Sequence, residues 1–205
     1  LELMDELVFE PLGMNATAAE SPETMDRLVE FYNTDGGRFG TTRDVDLSVK
    51  WAGGGFVSTP TDLVTLGASL LSDRLISSET REEFFAVQPM FDGSENPQVY
   101  ALGWRHHETV NILGEDTPVD AVHHGGTSEG GVAFLLLVPD HEISIAFLTN
   151  GAGDSTRVEI QRLAYRIAGL AIQAQLDRIA SPAPGNLIGS TQPNPLAQQD
   201  DDNDD

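Results

Sequence analysis

The densest grouping of polar side chains and glycines in this 205-residue chain is Val122-His123-His124-Gly125-Gly126-Thr127-Ser128-Glu129-Gly130-Gly131. Glycines let a backbone approach a ligand closely. An imidazole of His123 or His124 can donate a hydrogen bond to a developing oxyanion or a carboxylate, and Thr127 or Ser128 can add a hydroxyl. Without a partner constellation, the same residues also read as a glycine-rich turn whose histidines bond locally. His106, His107 and His124 do not make a metal site by pattern. Adjacent strand side chains point to opposite faces, and no second close ligand pair has a recognised spacing. Gly53-Gly54-Gly55 lacks the lysine and spacing of a phosphate-binding loop and the full dinucleotide fingerprint, so it reads as a tight turn at a helix start. Trp51 and Trp104 are candidates for a cleft lining or, more simply, for core or rim packing. The chain has no cysteine, which removes disulfides, thiolate nucleophiles and sulfur-ligated metal centres together. Neither a metal nor a cofactor is expected.

The charge balance narrows the partners. Thirty-three acidic residues against 11 basic ones give a net charge of −22, with Lys50 as the single lysine. Such a chain repels nucleic acid and anionic membrane surfaces. No run approaches the length of a transmembrane helix, so no membrane insertion is expected in this segment. The compartment stays open. A periplasmic or extracellular site fits if a signal peptide lies upstream, and a cytoplasmic one otherwise. Hydrophobic residues make up 40% of the chain, enough for a core.

Several elements must position the histidine-glycine cluster. Leu3, Leu7, Val8 and Leu12 around Pro11 read as the last turns of a helix that stops at the proline and Gly13. Residues 21–50 read as irregular, with Ser21-Pro22-Glu23 offering a helix start. Leu63, Leu66, Leu70 and Leu71 predict a helix over 61–72 behind Ser58-Thr59-Pro60, and a second is expected near 78–87. Three antiparallel strands are expected at 99–111, 131–138 and 143–149, the last two joined through Pro139-Asp140-His141-Glu142. Val158, Leu163, Ile167, Leu170 and Leu176 predict a helix over 155–178 lying across one sheet face. From Ser181 the chain turns Pro-, Asn- and Gln-rich and ends in five aspartates within Asp200–Asp205, so 181–205 reads as a disordered acidic tail. Setting those five aside leaves −17, so the remainder is strongly acidic by itself.

Four segments then carry a resemblance. They are Phe9-Glu10-Pro11-Leu12-Gly13-Met14-Asn15-Ala16-Thr17, Gly53 through Leu63, Tyr100-Ala101-Leu102-Gly103-Trp104, and His123-His124-Gly125-Gly126-Thr127 on to Leu148-Thr149-Asn150. In this order the chain resembles, over residues 3–170, the C-terminal half of the beta-lactamase-related serine hydrolases. That family includes class C beta-lactamases, D-alanyl-D-alanine carboxypeptidases, serine esterases and LACTB-like proteins. The resemblance implies an α/β (α+β) fold, a beta-lactamase/transpeptidase-like antiparallel sheet flanked by helices. Residues 1–180 would be an incomplete C-terminal portion of that catalytic domain, with 181–205 as tail.

The family's third motif, Lys-Thr-Gly or a His-x-Gly variant on an edge strand, matches His123, His124 and Gly125. By that resemblance His123 takes the lysine position, binding or polarising substrate and stabilising the tetrahedral intermediate, with Gly125 completing the motif. The backbone N–H near Gly126 or Thr127 would supply part of an oxyanion hole, and His124 sits at the motif's variable position. The family's Ser-x-x-Lys and Tyr-x-Asn motifs do not occur in these residues. Both lie upstream of the Pro11-Leu12-Gly13-Met14 segment in the family, so the resemblance implies a fragment whose isolated form is inactive and whose partner is an upstream segment of the same protein. Three functions follow from it: a serine hydrolase acting on small ester, amide or peptide substrates through an acyl-serine intermediate; a catalytically inactive binding or scaffold protein; and a carboxypeptidase or transpeptidase on cell-wall peptide.

Overall fold

In the computed structural model, residues 1–26, 28–34, 39–42, 50 and 52–180 are described. Trp51 and the acidic tail lie outside them. The chain opens with a helical run built of α1 (Glu2–Met4), a wide π-helical turn at Asp5–Phe9, and α2 (Glu10–Leu12), closed by Gly13 in the left-handed conformation. The helix therefore passes through Pro11 instead of stopping there. The wide turn just before the proline relieves the clash that its ring makes with the carbonyl four residues back in a regular helix. Phe9, Leu12 and Met14 are buried beside Phe56, with the two phenyl rings edge-on at 5.5 Å.

Short elements follow. β1 (Ala18–Ala19) pairs with β4 (Phe56–Val57), and α3 (Pro22–Met25) begins with a reciprocal capping box between Ser21 and Thr24. β2 (Tyr32–Asn33) pairs antiparallel with β3 (Gly40–Thr41) and parallel with β9 (Gly151–Ala152). The described parts of 21–50 thus hold three small elements where irregular chain was expected. α4 (Pro60–Leu70) starts from the Thr59 cap and α5 (Ser78–Phe85) from the Ser77 cap, both close to expectation.

The main sheet contains β5 (Arg105–Thr109), β6 (Val119–Ser128), β7 (Gly131–Val138) and β8 (Ile143–Thr149), antiparallel and adjacent in chain order. β7 and β8 match the expected strands, joined by a tight helical turn at Pro139–His141. Two expectations need correction. The 99–111 segment yields only β5, because Val99 and Gly103 take positive φ and the Ala101 N–H bonds the Trp104 carbonyl, folding 99–104 back on itself. The histidine-glycine cluster, in turn, lies within a fourth strand. β6 pairs with β7 from Val122 to Ser128, and β5 flanks its first half. Long-range pairing outweighs the weak strand preference of its glycines.

α6 (Thr156–Ala180) crosses one face of the sheet, as expected, but by a different stripe. Ile160, Ala164, Tyr165, Ala168 and Ile172 are buried with Val119, Ala121, Phe134, Leu136 and Val138. Leu163 is 45% exposed and Leu170 65%, and Val158, Ile167 and Leu176 are exposed with them. Ala164 and Ala168 let the helix axis approach the strands, where bulkier leucines would hold it off. The opposite face packs Leu70, Phe85, Ala101 and Trp104, from α4, α5 and the 99–104 turn, on Val122, Leu135 and Leu137. α4 lies so close that a Cβ at Gly67 would fall onto Ser144 Oγ and within 2.7 Å of Leu137 Cδ2. The result is an antiparallel sheet between helices on both faces. Among the described residues no strand pairs with the outer edge of β8.

Candidate functional site

The pleat of β6 sends His123 and His124 to opposite faces of the sheet. His123 joins the α6 side. It is 6% exposed, with the ring of Phe134 at 5.3 Å, His107 at 5.4 Å and Tyr165 at 6.3 Å. Its Nδ1 is buried without a hydrogen-bond partner. Burial first, then the charges of His107, Arg105, His124 and Arg157, pushes its pKa down to about 4. His123 is therefore a neutral core imidazole at physiological pH.

His124 lies on the α4 and α5 side, two residues beyond the buried Val122, and is exposed. Its Nε2 hydrogen-bonds the Tyr100 hydroxyl at 2.5 Å, with the rings edge-on at 5.8 Å. Desolvation of the ring, followed by Arg105 and Arg157, lowers its pKa as well. Gly125 and Gly126 differ in the same alternating way. A Cβ at Gly125 would press on Phe134 Cδ2 at 3.1 Å, whereas one at Gly126 would meet nothing within 4 Å. The first glycine makes room for the core, and the second leaves open space beside His124.

β5 pairs with β6 only as far as Arg105 opposite His123. From His124 to Ser128, β6 therefore pairs with β7 on one side alone among the described residues, and Thr127 and Ser128 are exposed there. The motif lies on an interior strand whose second half has one open edge, rather than on an edge strand throughout. Unpaired N–H and C=O groups along such an edge can receive an extended ligand.

Around this edge the other polar groups divide by face. His106 turns toward Phe85, donating through Nδ1 to its carbonyl at 2.6 Å and through Nε2 to the Asp120 carboxylate, whose two oxygens both lie at 2.8 Å. The hydrogen bond to Asp120 raises the His106 pKa, outweighing burial, which lowers it, and the Phe85 carbonyl raises it further. His107 faces the other way, against His123, and burial lowers its pKa. Among the described residues no group of three or more His, Cys, Asp or Glu side chains could hold a metal ion. No helix among them is long and apolar enough to cross a membrane. Trp104 is buried against Phe84 and Phe85, a packing role and not a cleft lining.

Two of the segments that carried the resemblance meet at Asp62. Its Oδ2 accepts hydrogen bonds from the Ala16 N–H at 2.9 Å and the Thr17 hydroxyl at 2.8 Å, and Thr17 Oγ1 lies 2.7 Å from Ser58 Oγ. Residues that sequence reasoning passed over as site members, Tyr100 and Arg105, border His124. The signal was the Tyr100-Ala101-Leu102-Gly103-Trp104 segment, which the structure folds back onto Arg105.

The Beta-lactamase family model matches residues 1–170, and the chain belongs to that family. No curated protein sequence matches it. Solved structures share the fold: a D-stereospecific amidohydrolase from Streptomyces sp. has a TM-score of 0.58 at 22% identity over 77% of this chain and 46% of its own. An octameric penicillin-binding protein homologue from Pyrococcus abyssi gives 0.60 at 22% identity over 85% of this chain and 37% of its own. A class C beta lactamase from Rhodobacter sphaeroides gives 0.53 at 16% identity over 84% and 53%. The chain thus spans about half the length of these proteins or less. The resemblance carried by the four sequence segments is borne out.

Proposed function

We propose that this chain is the C-terminal part of a serine hydrolase that cleaves a small ester, amide or peptide substrate through an acyl-serine intermediate, its nucleophile lying on a segment outside these 205 residues. The family match over residues 1–170 carries the reading. The likeness to a D-stereospecific amidohydrolase favours an amide carbonyl among the possible targets. In such a reaction a serine Oγ adds to the carbonyl carbon, the carbonyl oxygen becomes an oxyanion, and the leaving group departs with a proton before water releases the acyl group. Donors aimed at the oxyanion or at a substrate carboxylate supply the electrostatic stabilisation.

The donor on this chain is His124 in place of His123. His124 is exposed beside the open edge of β6 and the empty space at Gly126, while His123 is enclosed by Phe134, His107 and Tyr165. Gly125 acts by admitting Phe134, and the backbone at Gly126 and Thr127 borders the substrate.

The full coding sequence tests the reading at once: Ser-x-x-Lys followed by Tyr-x-Asn upstream of Leu1 supports it, and their absence there sinks it in favour of a binding or scaffold protein. In the full-length protein, a serine-reactive fluorophosphonate should label one serine. His124→Ala should then lower kcat/KM by roughly 10²-fold on the best substrate of an ester, amide and cell-wall peptide panel. A loss of that size in a folded His123→Leu variant, with His124→Ala unaffected, would return the role to His123.

A further inference from the structure

We infer that Tyr100 is a positioning residue for His124, holding its imidazole in one orientation and in the tautomer that carries the proton on Nδ1. The inference rests on the reading of His124 as the substrate-facing group. Among the described residues, the hydrogen bond of the Tyr100 hydroxyl is to His124 Nε2. A phenol is a stronger donor than a neutral imidazole N–H, and the bare imidazole nitrogen is a stronger acceptor than a phenol oxygen. The proton of this bond therefore sits on Tyr100, Nε2 accepts it, and the ring's own proton goes to Nδ1. Free histidine prefers the other tautomer. The ring in this site is thus preset as an Nδ1–H donor, and its edge-on contact with the Tyr100 ring removes one axis of rotation.

Tyr100 is itself held. The Arg105 guanidinium lies over its ring, 4.9 Å from the centroid. Arg105 donates to the Gln98 carbonyl at 3.0 Å and to Gln98 Oε1 at 2.8 Å. Arg105 stands opposite His123 in the sheet, and its guanidinium ties that strand to the turn that carries Gln98 and Tyr100.

A second, independent observation is the backbone just before Tyr100. Val99 has φ 50°, a left-handed conformation that a β-branched residue adopts only when its surroundings over-determine it. Two bonds do so: the Val99 N–H donates to the Asn96 carbonyl at 2.9 Å, and the His106 N–H donates to the Val99 carbonyl at 3.0 Å. The strained residue reverses the chain so that Tyr100 pairs with Arg105 and reaches His124. The same turn buries Ala101 and Trp104 against the sheet, so one reversal both packs the α4 and α5 face and places the Tyr100 hydroxyl at His124.

The test reads the tautomer directly. In full-length protein labelled with 15N-histidine, a long-range proton–nitrogen correlation at neutral pH should show His124, assigned by the loss of its signals in His124→Gln, with a protonated Nδ1 and a bare Nε2. Tyr100→Phe keeps the ring and removes the hydroxyl, and His124 should then shift to the Nε2–H form. Val99→Gly takes the same left-handed conformation without strain, keeps both backbone bonds of the turn, and should leave His124 in the Nδ1–H form. An Nε2–H tautomer in the unmodified protein, or an Nδ1–H tautomer that survives Tyr100→Phe, overturns the inference. On an active substrate, Tyr100→Phe should lower kcat by roughly tenfold or more with KM little changed; a rise confined to KM would also overturn it. The tautomer readout needs no turnover, so a protein that hydrolyses nothing but shows the shift refutes the hydrolase reading and leaves the positioning role standing.

Discussion

His123 and His124 are neighbours in sequence, yet the pleat of β6 places one in a core and the other at an open edge, and their chemistry diverges accordingly. The folded-state pKa of His123, about 4, lies below the ordinary value of 6.5, so the unfolded chain takes up the proton first as the pH falls. Its contribution is complete above about pH 6.5 and is lost as the pH falls toward 4, an effect on the order of 3 kcal/mol. Urea midpoints of the unmodified protein should therefore drop more steeply between pH 7 and 4.5 than those of His123→Leu; parallel profiles would mean that His123 is solvated. His106 has the opposite sign. Asp120 raises its pKa, so its contribution is present below 6.5 and is lost as the pH rises through the raised value, and Asp120→Asn should bring the His106 titration down in a proton NMR titration. Asp62 is the other residue whose loss should be costly. Asp62→Ala leaves the Ala16 N–H and the Thr17 hydroxyl without their acceptor and should destabilise by about 1–3 kcal/mol in chemical denaturation.

At the scale of elements, α4 and α6 grip the sheet from either side by different means. α4 depends on the bare Cα of Gly67 against Ser144 and the fully buried Leu137. Gly67→Ala, favourable in an isolated helix, should here destabilise by about 1–3 kcal/mol through overpacking; equal or greater stability by denaturant titration would show that α4 can lift from the sheet. α6 was legible as a helix but not as to which face it buries. Both stripes carry apolar residues, and helical period alone does not rank Leu163-Ile167-Leu170 against Ile160-Ala164-Ala168-Ile172. The flat surface of Phe134, Leu136 and Val138 selects the smaller set. β7 and β8 were legible because each is a continuous apolar run split by a proline turn. β6 was legible as a strand only through the resemblance, which put His123-His124-Gly125 on an edge strand: His123-His124-Gly125-Gly126 has neither alternation nor β-branched residues, and the register with β7 makes it one.

For the whole molecule, the charge of −22 sets a field that opposes compaction. Raising the ionic strength from about 0.1 M to about 1 M shortens the Debye length from roughly 10 Å to 3 Å and should raise the denaturation midpoint; salt-independent stability would count against self-repulsion. The exposed Leu163, Ile167 and Leu170 on α6 and the open outer edge of β8 act in the same direction on association. Under the proposed reading these surfaces belong against the rest of the catalytic domain, and the 205-residue chain by itself should self-associate. A sharp, reversible unfolding transition from a monomer in sedimentation analysis would instead mark a self-sufficient unit.

Local chemistry in the sequence determined the family through four short segments, the caps that start α4 and α5, the β7–β8 hairpin, and the exclusion of thiol chemistry. Each of these depends on residues close together in the chain. Which histidine meets the solvent, which stripe of α6 meets the sheet, and how Tyr100 reaches His124 across 24 positions were decided by the tertiary structure. Pleat phase, helix rotation and a left-handed turn at Val99 are set by pairing and packing between distant segments, and a one-residue change in any of them exchanges a core group for a site group.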